Sequence, residues 1–304
     1  MMSEQRFVEA SQRLHKRICR NAVYLSEERN QETMKLNKYM KYLRDSYREN
    51  KKTFVFYTVL RVLVLLTLVR CIFRGNYQSA MLCVLSLILF LVPALLQDKM
   101  NLSIPPLFQA IIFGFIFAAE ILGEVNHYYV RIHGWDTMLH TMNGFLCAAV
   151  GFSLIYLLNR GSRNVNLSPL YLTLVAFCFS MTVGVVWEFF EFSMDQFFYL
   201  DMQKDFIVQE FGSVTLDPEN MGTPIHVEGI TDTVIHTDSG ETYTIEGGYL
   251  DIGILDTMKD LLVNLVGAIV FSIIGYSTLK FSKSSKVADS LMIKPKDPNK
   301  QKPY

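Results

Sequence analysis

The chain has 304 residues, half of them hydrophobic, 19% charged, and a formal net charge of zero. With a positive mean hydropathy of +0.22, this composition argues against a soluble enzyme and for a polytopic membrane protein, with membrane lipids and not nucleic acid as expected partners. Cys19, Cys71, Cys83, Cys147 and Cys178 form no CxxC pair, so no disulfide framework is implied and they read as small buried side chains.

Residues 1–52 are polar and charged, with Phe7, Leu14, Ile18, Leu36 and Leu43 only loosely periodic. They predict a cytoplasmic helical tail, either solvated or in contact with anionic lipid or a second copy. No short apolar core with a cleavage site precedes the first span, which is therefore expected to direct insertion itself. Six apolar runs follow, at 54–73, 77–97, 105–124, 135–158, 169–195 and 254–280. Each is about 20 residues or more, the length that crosses a hydrocarbon core of about 30 Å. The expected organisation is all-α: five spans within 53–198, an acidic loop at 199–253, a sixth span at 254–281 and a disordered basic tail at 282–304.

Lys and Arg set the expected orientation. Lys38, Lys41, Arg44, Arg48, Lys51 and Lys52 precede the first span, Lys280, Lys283, Lys286 and Lys294 end or follow the last, and Arg160 and Arg163 lie between the fourth and fifth. Both termini are then cytoplasmic. The 199–253 loop, whose sole Lys or Arg is Lys204, is extracytoplasmic. Within it, PIHVEGITDTVIHTDSGETYTIEGG alternates β-branched and polar residues about a turn at Asp238, Ser239 and Gly240, predicting a small β-hairpin that is either a lid or a surface ornament.

The informative feature is where the acids sit. Glu120 with Glu124, Asp136 with His140, Glu188 with Glu191 and Asp195, and Asp256 with Asp260 and Asn264 all fall at the loop-facing ends of four apolar runs, and this topology gathers them at the outer face. An ionised group at mid-bilayer costs roughly 2.5–3.5 kcal/mol, so about half a dozen unpaired carboxylates would cost on the order of 10 kcal/mol. Protons, cations or a metal must compensate.

Asp136 and His140 lie one helical turn apart and can share an ion or a proton. Glu188, Glu191 and Asp195 form one stripe behind Trp187, and Asp256, Asp260 and Asn264 descend one face towards Gly267 and Ala268, small enough for a close helix neighbour. Oxygen-rich donors with one histidine favour Mg²⁺, Mn²⁺ or Ca²⁺, with Zn²⁺ the runner-up. On that reading Asp136, His140, Glu188, Asp256 and Asp260 are candidate ligands, His140 and Glu191 are candidate catalytic groups, and Glu120, Glu124, Asp195 and Asn264 complete the polar cluster. Arg61, Arg70 and Arg131 are expected to pair with carboxylates, to hold a lipid phosphate or to snorkel.

Glu120/Glu124, Asp136-xxx-His140-xxx-Gly144, Glu188-xx-Glu191 behind Trp187 and Asp256-Thr257-xx-Asp260 followed by Gly267 and Ala268 resemble the YjdF-like family of bacterial inner-membrane proteins over a little more than half of the chain. Asp136 and His140 at the start of a span are more distantly similar to VanZ-like membrane proteins. The resemblance implies a bacterial inner membrane and selects residues, but no reaction attaches to the family. Three functions stay open: metal-dependent action on a lipid or lipid-linked phosphate, cation or proton transport, and a non-enzymatic structural or envelope role. The apolar inner halves of the last three spans disfavour transport, and no Ser/His/Asp or Cys/His arrangement supports a nucleophilic enzyme.

Overall fold

The computed structural model describes residues 51–100, 102–161, 167–281 and 290–295, without the side chains of 160 and 161. The chain divides into two compact units, 1–59 and 60–304. Of the first, residues 51–59 are described and helical; the expected N-terminal helical tail otherwise lies outside the described residues.

Backbone amides in hydrocarbon find no water, so apolar runs of this length satisfy their hydrogen bonds internally as helices. Among the described residues six helical segments are long and apolar enough to cross a membrane. The first is α1 (Lys51–Phe73). The second breaks into α2 (Tyr77–Leu89) and α3 (Val92–Lys99) where Pro93 lacks the amide that would continue the ladder. The third joins α4 (Pro106–Ile116) to a π-helical segment, Phe117–Val125. A short α5 (Tyr128–Arg131) leads to α6 (Trp135–Gly161), α7 (Pro169–Phe198) and α8 (Ile254–Lys280). Helix starts follow their chemistry: the Asn76 side chain accepts from the Ser79 amide at 3.1 Å, and the Ser168 hydroxyl accepts from that of Tyr171 at 3.3 Å, with Pro169 in the first turn.

Helices α6, α7 and α8 pack on one another, and glycines set how closely. A Cβ on Gly144 of α6 would overlap the Asn264 carbonyl of α8, one on Gly267 of α8 would overlap the Thr141 carbonyl of α6, and one on Gly184 of α7 would press the Asn264 side chain. The Asn264 side chain, in a residue 1% exposed, accepts at Oδ1 from the Asn143 side-chain Nδ2 at 3.2 Å, while the Ser180 hydroxyl donates to the Gly144 carbonyl at 2.7 Å. This small-residue seam substitutes close packing for the hydrophobic drive that lipid removes. Outward-facing Leu66, Val186, Phe189, Leu262 and Ile273 are exposed, as surfaces in lipid are.

One end of the bundle is apolar: Phe108, Leu146, Ala149, Phe152, Leu172, Ala268 and Phe271 form its core. Leu291, Met292 and Ile293 are buried in that same core, the Ile293 amide donates to the Ser153 hydroxyl at 3.0 Å, and β1 (Leu102–Ser103) pairs antiparallel with β8 (Lys294–Pro295). The expectation of a disordered 282–304 tail therefore fails at 290–295, where an apolar triplet hidden among lysines docks; the remainder lies outside the described residues. Of the four described cysteines, Cys71 and Cys83 are buried but Cys178 is exposed, so the buried reading does not hold for it.

The loop before α8 carries β2 (Phe206–Val208), β3 (Phe211–Ser213), β4 (Ile225–Val227), β5 (Asp232–His236), β6 (Thr242–Glu246) and β7 (Tyr249–Asp251), paired β2 with β7, β3 with β4 and β5 with β6. Asp217 organises the β3–β4 connection: its carboxylate accepts from the amides of Glu219 at 3.0 Å, Met221 at 2.9 Å and Thr223 at 3.1 Å. Those bonds favour the anion and hold the Asp217 carboxyl below the ordinary aspartate value of about 3.9. The folded value being the lower one, the turn has its full support above the unfolded-state value and loses it as pH falls through the folded value. Hydrogen-exchange protection of the Met221 and Thr223 amides, relative to the unprotected rate at each pH, is expected to be high at pH ~5 and to be lost as pH falls through the lowered folded value; Asp217→Ala should show little protection at either pH.

Candidate functional site

At the bundle end opposite the docked tail, the first turns of α6 and α8 meet the last turns of α7. His140 is the hub. Its Nε2 lies 3.4 Å from Asp136 Oδ1 and 3.8 Å from Asp260 Oδ2, and its Nδ1 lies 3.7 Å from Glu188 Oε1. Two groups of ligating atoms share it, Asp136–His140–Asp260 and His140–Glu188–Glu191, each with its atoms within 4.8 Å of one another. His140, Glu188, Glu191, Asp256 and Asp260 are all at most 9% exposed.

The remaining contacts assign separate tasks. Glu191 accepts from the Trp187 indole at 2.9 Å, and Asp256 Oδ2 accepts from the Lys204 amide at 2.8 Å, which pins the loop to α8. Asp195 accepts from the Met202 and Gln203 amides at 2.7 and 2.8 Å; it staples the loop to the end of α7 and stands outside both ligand groups. Asn264, one step deeper, belongs to the glycine seam. Among the described residues three buried carboxylate oxygens, Asp136 Oδ2, Glu188 Oε2 and Asp260 Oδ1, have no hydrogen-bond partner. A buried acceptor left bare costs about 1–3 kcal/mol, more when charged, so these atoms are the ones a ligand would satisfy.

Glu120 and Glu124, expected in the surrounding polar cluster and not among the ligands, lie in the π-helical segment of the third span, and neither enters a ligand group. Both instead border Tyr129, which packs against Gly123. Burial, together with the charges of Glu124, Asp136, Glu120 and Glu191, pushes the Tyr129 phenol well above its ordinary value, so it stays a neutral O–H beside the acids. Among the described residues Arg70 donates to the Asn126 side chain at 3.2 Å and pairs with no carboxylate.

Lys259 escaped the acid-based reading. Its Nζ lies 3.6 Å from Asp256 Oδ1 and 3.9 Å from both Asp136 Oδ2 and Asp260 Oδ1. The signal was present, because Lys259 is the sole Lys or Arg between Lys204 and Lys280 and stands inside an apolar run, where an unpaired ammonium is costly. Of the loop, residues 202–204 and Phe206, whose ring centroid is 5.9 Å from the Lys259 ammonium, reach this end.

Fold and site together define a multi-pass helical membrane protein with a buried acid–histidine centre at one end of its bundle. The chain belongs to the family described as "Predicted membrane protein (DUF2238)", whose model matches residues 56–281 and so takes in all four acidic groups. No curated protein and no solved structure matches it.

Proposed function

We propose that this centre binds a divalent cation and acts on the phosphate of a lipid or lipid-linked substrate at headgroup depth. The observation that carries the reading is the gathering of one ligating atom each from Asp136 and Asp260, and from Glu188 and Glu191, about His140, with a second oxygen on Asp136, Glu188 and Asp260 left without a hydrogen-bond partner among the described residues. Asp136, Asp260 and His140 Nε2 make an oxygen-rich donor set with one imidazole, suited to Mg²⁺, Mn²⁺ or Ca²⁺ before Zn²⁺. Glu188, on the opposite ring nitrogen, orients the imidazole as carboxylates behind ligating histidines do. A bound cation would neutralise phosphate oxygens and acidify a water, and Glu191, which shares His140 with the cation site, is the candidate acceptor for its proton. Asp256 contributes charge and anchors the loop. The narrower YjdF-like resemblance, a bacterial inner membrane, cytoplasmic termini and an outward-facing centre belong to the same reading.

Transport is the weaker alternative, because the aromatic layer of Phe145, Phe152 and Phe271 lies between the centre and the far end with no bare carboxylate beyond it among the described residues. The test is the metal content of detergent-purified protein beside His140→Ala, with thermal stability followed as divalent ions are chelated and restored. Near-stoichiometric metal that is lost in the variant, and a melting temperature that drops on chelation, are expected. If no ion binds and none of Mg²⁺, Mn²⁺, Ca²⁺ or Zn²⁺ stabilises the wild type, the proposal fails.

A further inference from the structure

We propose that Lys259 couples the cation to an anion: its ammonium competes with a divalent ion that arrives alone and welcomes one that arrives with a phosphate. The inference rests on the cation site proposed above. Asp136 and Asp260 each turn one oxygen towards His140 Nε2 and the other towards Lys259 Nζ. An ion held by Asp136, His140 and Asp260 and the lysine therefore draw on the same two carboxylates. At 3.6–3.9 Å from three carboxylate oxygens the ammonium stands within ion-pair range but outside hydrogen-bond range, uncommitted to any one acid. In the ion-free centre it supplies charge that Asp136, Asp256 and Asp260 need.

A divalent ion placed beside it meets a like charge at short range in a partly desolvated site, which lowers the ion's affinity. A phosphate reverses the sign. Its oxygens can bridge the metal and the ammonium, as phosphate sites built from a cation and a lysine do. The Lys259 side chain is 42% exposed and lies beside Phe206 of the loop, so its tip can follow an anion at the mouth without leaving the carboxylates. Linkage then requires metal and phosphate to strengthen each other's binding equally.

Mn²⁺ titrations of the full chain in detergent, for wild type, Lys259→Gln and Lys259→Arg, test this. Lys259→Gln is expected to bind Mn²⁺ alone about tenfold tighter or more. Adding a phosphate monoester should tighten Mn²⁺ binding by roughly 5- to 150-fold in the wild type, keep doing so in Lys259→Arg and do little in Lys259→Gln. Inorganic phosphate and phosphatidic acid in mixed micelles, against phosphatidylcholine, are the two arms: coupling by both identifies a free phosphate group as sufficient, and coupling by phosphatidic acid alone identifies the lipid headgroup. Wild-type Mn²⁺ binding unchanged by Lys259→Gln, or phosphate coupling that survives in it, overturns the inference and leaves the cation site standing. Absence of Mn²⁺ binding in every variant, with no stabilisation by Mg²⁺, Ca²⁺ or Zn²⁺ either, removes the cation site and this inference with it. Lys259→Met serves as a second neutral variant where the glutamine protein is not monodisperse.

Discussion

Asp260→Asn is expected to lose metal binding and yet, with metal absent from both proteins, to melt above the wild type. Asp260 is 1% exposed, and Asp136, Glu188, Glu191 and Asp256 crowd the same end, where among the described residues His140 and Lys259 are the cations that pair with them. Desolvated carboxylates in excess of their partners repel, and removing one relieves that repulsion while the isosteric amide keeps the volume. His140 retains Asp136 and Glu188, and Lys259 retains Asp136 and Asp256, so no cation is orphaned. The gain should be about 1 kcal/mol, and metal affinity should fall by about 100-fold or more, as expected when one of few hard-oxygen ligands is lost. Thermal melts with chelator and with added Mn²⁺ separate the two effects. A metal-free protein several degrees less stable than wild type would mean that Asp260 is a structural ion-pair partner.

Gly267→Val should prevent folding of the helical core. Even a Cβ at 267 falls on backbone atoms of α6, the Thr141 carbonyl and the Phe145 amide, and backbone cannot step aside as a rotamer can. The two helices would have to separate, breaking the reciprocal contact of Gly144 with the Asn264 carbonyl and the Asn143–Asn264 hydrogen bond. Overpacking costs typically about 1–3 kcal/mol, and loss of a buried polar pair adds about 1–3 kcal/mol, so the sum of about 2–6 kcal/mol reaches the lower end of the roughly 5–15 kcal/mol that holds a whole domain together. Monodisperse yield by size exclusion should collapse, whereas Leu262→Val, on an exposed position of the same helix, should leave it unchanged. A Gly267→Val protein with normal yield and melting temperature would refute the close-packing account.

The membrane spans were legible because lipid imposes a length and a composition on each helix independently of its neighbours. The break at Pro93 was legible in principle too, since proline's missing amide is a local property, but hydropathy alone ran straight through it. Spacing also placed Asp136 with His140, and Asp256 with Asp260, on common helix faces, because side-chain direction repeats every 3.6 residues whatever lies opposite.

Which faces meet is another matter. Periodicity ranks Asp195 with Glu188 and Glu191, yet the last turn of α7 gives Asp195 to the loop amides while its two neighbours turn inward. The pairing of His140 Nδ1 with Glu188 and Nε2 with Asp260 depends on how three helices are rotated about their axes, and Gly144, Gly184 and Gly267 permit that rotation through contacts up to 126 positions apart, between Gly267 and Thr141 (267 minus 141). The docking of Leu291–Ile293 beside Ser153 is likewise decided by partners distant in the chain. Composition and period thus determine that each helix exists and which side of it is polar; the close approach of backbones across glycine decides which polar sides share one buried centre.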